Sequence, residues 1–218
     1  MSKALLIIPP RIYGPDEYAK VQPPLGALYV ASVLEGDGHE IELIDMFAED
    51  IHSRVQYDEN RSIYGLSFGN LKTKITKSHP DYFLIANLYT NFAIATERLV
   101  EFLQKEFQDI PVIMGGSHAS LERGRLLSNQ SGISFIIASE AEYSARKLIR
   151  KLDKKSRDFS DIPGLTWRQN DKITSNPVRF IDSLDDIPFP ARNLLNQKSY
   201  DQLSMMRNDL KSAEIISS

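Results

Sequence analysis

The chain has 218 residues, 42% of them hydrophobic and 25% charged, and its 26 basic and 29 acidic side chains leave a formal net charge of −3. That length and balance fit one α/β domain with a tail or two small domains, and the lack of a basic excess argues against nucleic acid or an anionic membrane surface as a partner. There is no cysteine, so disulfides, a thiol nucleophile, a zinc–thiolate site and a cysteine-held iron–sulfur cluster are all excluded within this chain.

In chain order, Ala4–Ile8 is a continuous apolar run ending at Pro9-Pro10, the pattern of a buried parallel strand. It is too short for the core of a signal peptide, and no stretch approaches the roughly 18 apolar residues of a membrane span, so the expected location is cytoplasmic. Pro24–Leu34 has helical spacing and stops at Gly36 and Gly38, and Ile41–Asp45 is a second strand. Between Phe47 and His79 only Leu66–Thr76 reads as a helix, ended by Pro80. Tyr82–Leu88 is a third strand, and Phe92–Phe107 carries the clearest helical stripe, with Ile94, Leu99, Val100, Phe102, Leu103 and Phe107. Pro111–Met114 is a strand that ends in Gly115-Gly116. A short helix near Leu121–Ser128 leads to a fifth strand at Ser134–Ala138 and a helix over Glu140–Leu152. Leu165–Arg168 and Lys172–Ser175 flank a polar turn as a β-hairpin, and Arg179–Leu195 reads as an extended connector.

Strands alternating with helices build βαβ units. The expected fold is α/β, a doubly wound, flavodoxin- or Rossmann-like five-stranded parallel sheet with a C-terminal β-hairpin and an extended tail. Residues 1–156 would form the α/β domain and residues 157–218 the hairpin and connector. Ligands of such sheets bind beyond the carboxyl ends of the strands, which directs attention to residues 9–26, 89–92, 115–123 and 139–143.

Taken singly, these loops have plain structural explanations. Gly115-Gly116 serves either a tight turn or a close approach to a ligand, and Glu140 and Glu142 complement the dipole of the helix that follows. His39, His52 and His79 read as solvated side chains, whereas His118 either braces its loop or touches a ligand. There is no G-x-G-x-x-G, no P-loop, no pair of histidines at helical spacing and no recognisable nucleophile, so neither a metal site nor a catalytic residue is assigned.

The combination is more specific. Pro23-Pro24-Leu25-Gly26, then Gly38-His39-Glu40 before the second strand, Gly115-Gly116-Ser117-His118 after the fourth, and Ser139-Glu140-Ala141-Glu142 after the fifth resemble, in order, elements of the cobalamin-binding N-terminal domain of radical SAM enzymes. Pro163–Arg168 and Leu184–Arg192 resemble the hairpin and connector that lead into the radical SAM barrel of that family. Ser139-Glu-Ala-Glu stands where the family carries G-E-G-E. Ala86-Asn87-Leu88 stands where better-known cobalamin domains carry S-x-L, whose serine meets the base of the tail, and no histidine follows the first strand to ligate cobalt.

The resemblance implies that cobalamin is the cofactor, the corrin lying across the strand ends and its nucleotide tail in a slot beside the sheet. It places Tyr13, Leu25 and Gly26 at one edge of the corrin, Asn87, Tyr89, Thr90 and Asn91 below it, and Ala86 where the serine that meets the tail base would stand. Gly115, Gly116, Ser117 and His118 would meet the tail, with Ser139, Glu140 and Glu142 beside it. It also implies that the chain is cut before a radical SAM domain of its own parent chain, which would hold a [4Fe-4S] cluster and S-adenosylmethionine and use cobalt as a methyl carrier. Two rival readings are a domain of this type that lost the cofactor and docks a partner or substrate, and a flavodoxin-like binder of another small molecule.

Overall fold

The first apolar run becomes β1 (Lys3–Ile8), hydrogen-bonded on both sides to parallel strands and buried on both faces. A strand in that position has no solvent face, which is why its sequence shows no alternation. The computed structural model describes residues 1–15, 17, 22–130, 132–170, 172–196 and 199–200. After β1 come β2 (Arg11–Tyr13), α1 (Leu25–Gly36), β3 (Glu40–Asp45), α2 (Met46–Glu49), β4 (Arg54–Gln56), β5 (Ser62–Tyr64), α3 (Phe68–Ser78) and β6 (Tyr82–Ala86). The chain continues through α4 (Ala93–Glu106), β7 (Val112–Gly115), α5 (Ser117–Asn129), β8 (Phe135–Ile137), α6 (Glu142–Asp153), β9 (Leu165–Gln169) and β10 (Lys172–Ser175).

The main sheet runs β10-β9-β8-β7-β6-β1-β3. The five strands β3, β1, β6, β7 and β8 are parallel, as expected, and the hairpin β9–β10 adds to the edge antiparallel, making seven. Successive side chains on each strand point to opposite faces. Leu5, Ile7, Phe83, Ile85 and Met114 pack against α3, α4 and α5. Ala4, Leu6, Leu84, Ile113 and Ile137 pack against α1 and α6, where Phe159, Ile162 and Trp167 close the hairpin end of the core. Helices thus cover both faces. The order of the parallel strands reverses at β1, so the switch point lies between β1 and β6.

Three features depart from expectation. β2, β5 and β4 form a separate three-stranded antiparallel sheet within a stretch where the sequence shows no strand pattern; β4 is wholly exposed and each strand is only three residues long. Helix α3 starts at Phe68 because Ser67 caps it, its hydroxyl accepting from Asn70 N–H at 3.2 Å. Helix α5 starts at Ser117, well before Leu121, because Gly116 at φ 107° turns the chain directly from β7 into the helix. Among the described residues no helix is long and apolar enough to cross a membrane.

Candidate functional site: a crevice at the strand ends

On the face covered by α1 and α6, β6 presents Leu84 and then Ala86, and β7 presents Ile113 and then Gly115. Ala86 and Gly115 are register partners. The last residue facing these helices is therefore small on two adjacent strands. Across from them the first turns of α1 and α6 are also thin, with Gly26 and Ala27 on one and Ala141 and Ala145 on the other. The missing side chains leave a cavity of about 340 Å³ at the carboxyl ends of β6, β7 and β8, walled by Leu6, Val30, Leu84, Ile113 and Ile137. That is within the range of small-molecule sites, roughly 300–1,000 Å³.

The two glycines have different tasks. A Cβ at Gly116 would lie 2.5 Å from the Asn87 carbonyl oxygen, so the turn requires glycine there. A Cβ at Gly115 would meet only the Ile137 carbonyl oxygen, at 3.7 Å, so the backbone does not demand glycine; its effect is to leave the crevice open. Ser139 holds a left-handed φ of 66° at the position where G-E-G-E would put the first glycine. Its N–H donates to Ser120 Oγ at 3.0 Å, and that hydroxyl donates to the Gly116 carbonyl at 2.8 Å, tying the two loops together.

The two acidic residues at the lip also differ. Glu140 Oε2 accepts from Ile181 N–H at 2.5 Å and so holds the connector. Nearby, Tyr143 donates to the Asp186 carbonyl at 3.0 Å. Glu142 Oε2 is sealed from water and has no hydrogen-bond partner among the described residues. Burial pushes the Glu142 carboxyl above its ordinary range, against hydrogen bonds from its own N–H and that of Ala141, and the Glu140 charge adds to the rise.

The structure brings Gly26, Ala86, Gly115, Gly116, Ser117, Ser139, Glu140 and Glu142 to this one cavity. The remaining sequence candidates lie elsewhere. Leu25 is buried at the start of α1. Asn87 points to the opposite face, its amide 3.9 Å from Met114 Sδ and its Oδ1 without a partner. Tyr89, Thr90 and Asn91 are exposed at the end of β6, the last two in a 3-10 turn. His118 is buried and bonds Thr90 Oγ1 at 3.0 Å through Nδ1, bracing that turn. Tyr13 packs in an aromatic cluster with Phe47, Tyr64 and Phe92. His39, expected at the surface, is instead buried at the other end of the sheet, bonded to Ser2 Oγ at 3.0 Å. Sequence reasoning missed the walls Ala27, Val30, Leu84, Ala141 and Ala145; the spacing of Ala141, the residue before α6, and Ala145, one turn on, was the available signal.

Comparison with known proteins identifies the family of the chain. Residues 16–149 match the model of the B12 binding domain. The chain is 28% identical over 206 residues to an uncharacterised methyltransferase, PH0819, of Pyrococcus horikoshii, covering 91% of this chain and 40% of the relative. It is 24% identical over 222 residues to the cytidylyl-2-hydroxyethylphosphonate methyltransferase of Streptomyces wedmorensis, covering 91% of this chain and 41% of the relative. The chain thus spans about two-fifths of the length of these curated relatives. In fold it is similar to the cobalamin-dependent S-adenosylmethionine radical enzyme OxsB with aqua-cobalamin bound, with a TM-score of 0.69 and 17% identity over 93% of this chain and 25% of that one. With a doubly wound sheet, a crevice at its strand ends and a family match over more than half its length, the chain belongs to the B12 binding domain family.

Proposed function

We propose that this chain is the cofactor domain of a radical SAM methyltransferase, holding cobalamin at the carboxyl ends of its parallel strands. In this reading residues 1–156 hold the cofactor and residues 157–218, of which 201–218 lie outside the described residues, lead toward a radical SAM domain of the same polypeptide. That domain would supply the [4Fe-4S] cluster and S-adenosylmethionine. The observation that carries the reading is the crevice: Ala86 and Gly115 end adjacent strands with almost no side chain, opposite the thin first turns of α1 and α6. Such a slot fits the flat, largely apolar base of a nucleotide tail, and the exposed turn at Tyr89–Asn91 follows directly on Leu88, which lines it.

The residues of this chain then bind and orient. Leu84, Ile113, Ile137 and Val30 exclude water from the tail, and Ser120 fixes the loops on either side of it. When bound, the cofactor supplies a cobalt atom able to carry a methyl group. The test is direct: the purified chain is mixed with hydroxocobalamin, desalted, and its absorbance recorded. Corrin absorbance at about one cofactor per chain is expected, and a protein fraction without it overturns the reading.

A further inference from the structure

The polar groups around the crevice have little left to offer a ligand. The Gly115 carbonyl accepts the Asn87 N–H at 2.8 Å, and the Gly116 carbonyl accepts both the N–H and the hydroxyl of Ser120. Ser120 Oγ also takes the Ser139 N–H, and the Ala141 carbonyl takes the Ala145 N–H. Glu140 Oε2 is committed to the Ile181 N–H. The Glu142 carboxyl accepts from its own N–H and that of Ala141, and its Oε2 has no accessible surface to present. Ser117 is exposed, so its hydroxyl stays in water. What remains as wall is hydrocarbon, from Leu6, Val30, Leu84, Ile113 and Ile137. Such a slot separates bases of similar shape by their polarity. Dimethylbenzimidazole, the base of cobalamin, carries two methyl groups and one free ring nitrogen. Adenine, a bicycle of similar size, would bring an amino group and three free ring nitrogens on the same tail. Each polar group that enters the slot gives up water and finds no partner, whereas the methyl groups gain by leaving water.

We propose that these apolar walls select the base of the corrinoid tail, accepting dimethylbenzimidazole and rejecting adenine. This rests on the reading that the crevice takes that tail. The experiment titrates three corrinoids into the 218-residue chain in excess cyanide: dicyanocobalamin, its analogue with an adenine base, and dicyanocobinamide, which lacks the nucleotide tail. Cyanide on both faces of cobalt frees either base, so the three probes differ only in the tail. Wild type binds the cobalamin at least about tenfold more tightly than the adenine analogue, which gains little over cobinamide. Val30→Thr keeps the shape of the wall and adds a hydroxyl, and it reduces that preference roughly threefold. Equal affinities for the two bases, a preference for adenine, or a preference unchanged in Val30→Thr overturns the proposal. Cobalamin bound no more tightly than cobinamide takes the tail out of the crevice, and the proposal falls while the cofactor reading stands. Wild type that binds none of the three and retains no hydroxocobalamin refutes the cofactor reading itself.

Discussion

The two faces of the sheet are made from the same strands and end in opposite ways. Toward α3, α4 and α5, β6 presents Phe83 and Ile85 and β7 presents Met114, all almost fully buried, and Asn87 fills the space beyond them. Toward α1 and α6 the neighbouring positions fall from Leu84 to Ala86 and from Ile113 to Gly115, and the packing stops short. Side-chain parity alone separates a filled core from a crevice. Stability and binding are therefore divided between adjacent residues of one strand.

The largest test of that division is Phe83→Ala. Removing a fully buried aromatic ring, packed edge-on to Phe107, should cost about 4 kcal/mol, read as a lower midpoint in guanidinium unfolding. The folded fraction should bind cobalamin as wild type does. Lost affinity with unchanged stability would show that the two faces are not separable.

Gly115→Leu tests the other face. The backbone tolerates a Cβ there, so stability should stay within about 1 kcal/mol of wild type. The leucine would fill the space between Ile113 and Ile137, and cobalamin affinity should fall about 100-fold, equivalent to about 2.7 kcal/mol. Full retention of affinity in a titration would mean that the tail does not use this crevice.

Much of this arrangement is legible in the sequence, and the reasons are local. β1, β6 and β7 announce themselves because strands buried on both faces are apolar at every position, and α4 does so through its stripe. The three-stranded sheet is not legible because β4 is exposed throughout and three residues carry no periodicity. The crevice is half legible. Gly115, Gly116, Ser139 and Glu142 stand at strand ends, where the fold class directs attention. Ala27, Val30, Ala141 and Ala145 become walls only when α1 and α6 are brought side by side over the sheet. A cavity built from absent side chains on distant segments leaves little pattern along any one of them beyond the spacing of Ala141 and Ala145. Two candidates also changed face or purpose: Asn87 belongs to the packed side by parity, and His118 braces Thr90 from within α5.

Ser139→Gly gives the smallest effect and the finest separation. Ser139 sits at φ 66° at the rim of the crevice, where a Cβ costs about 1–2 kcal/mol relative to glycine. Glycine returns roughly 0.4–1 kcal/mol of that through the greater freedom of its unfolded chain. The net expectation is a gain of about 0.5 kcal/mol, or a rise of about 1–2 °C in Tm for a chain of this size. Cobalamin affinity should not change, because the loop is held through the Ser139 N–H by Ser120 Oγ, and glycine keeps that bond. A lower Tm in a thermal scan would mean that the serine hydroxyl contributes more than its backbone strain takes away. Unchanged Tm with weaker binding would instead make the hydroxyl a contact of the ligand. The first result would make the hydroxyl part of the frame of the crevice, and only the second would give it a part in binding.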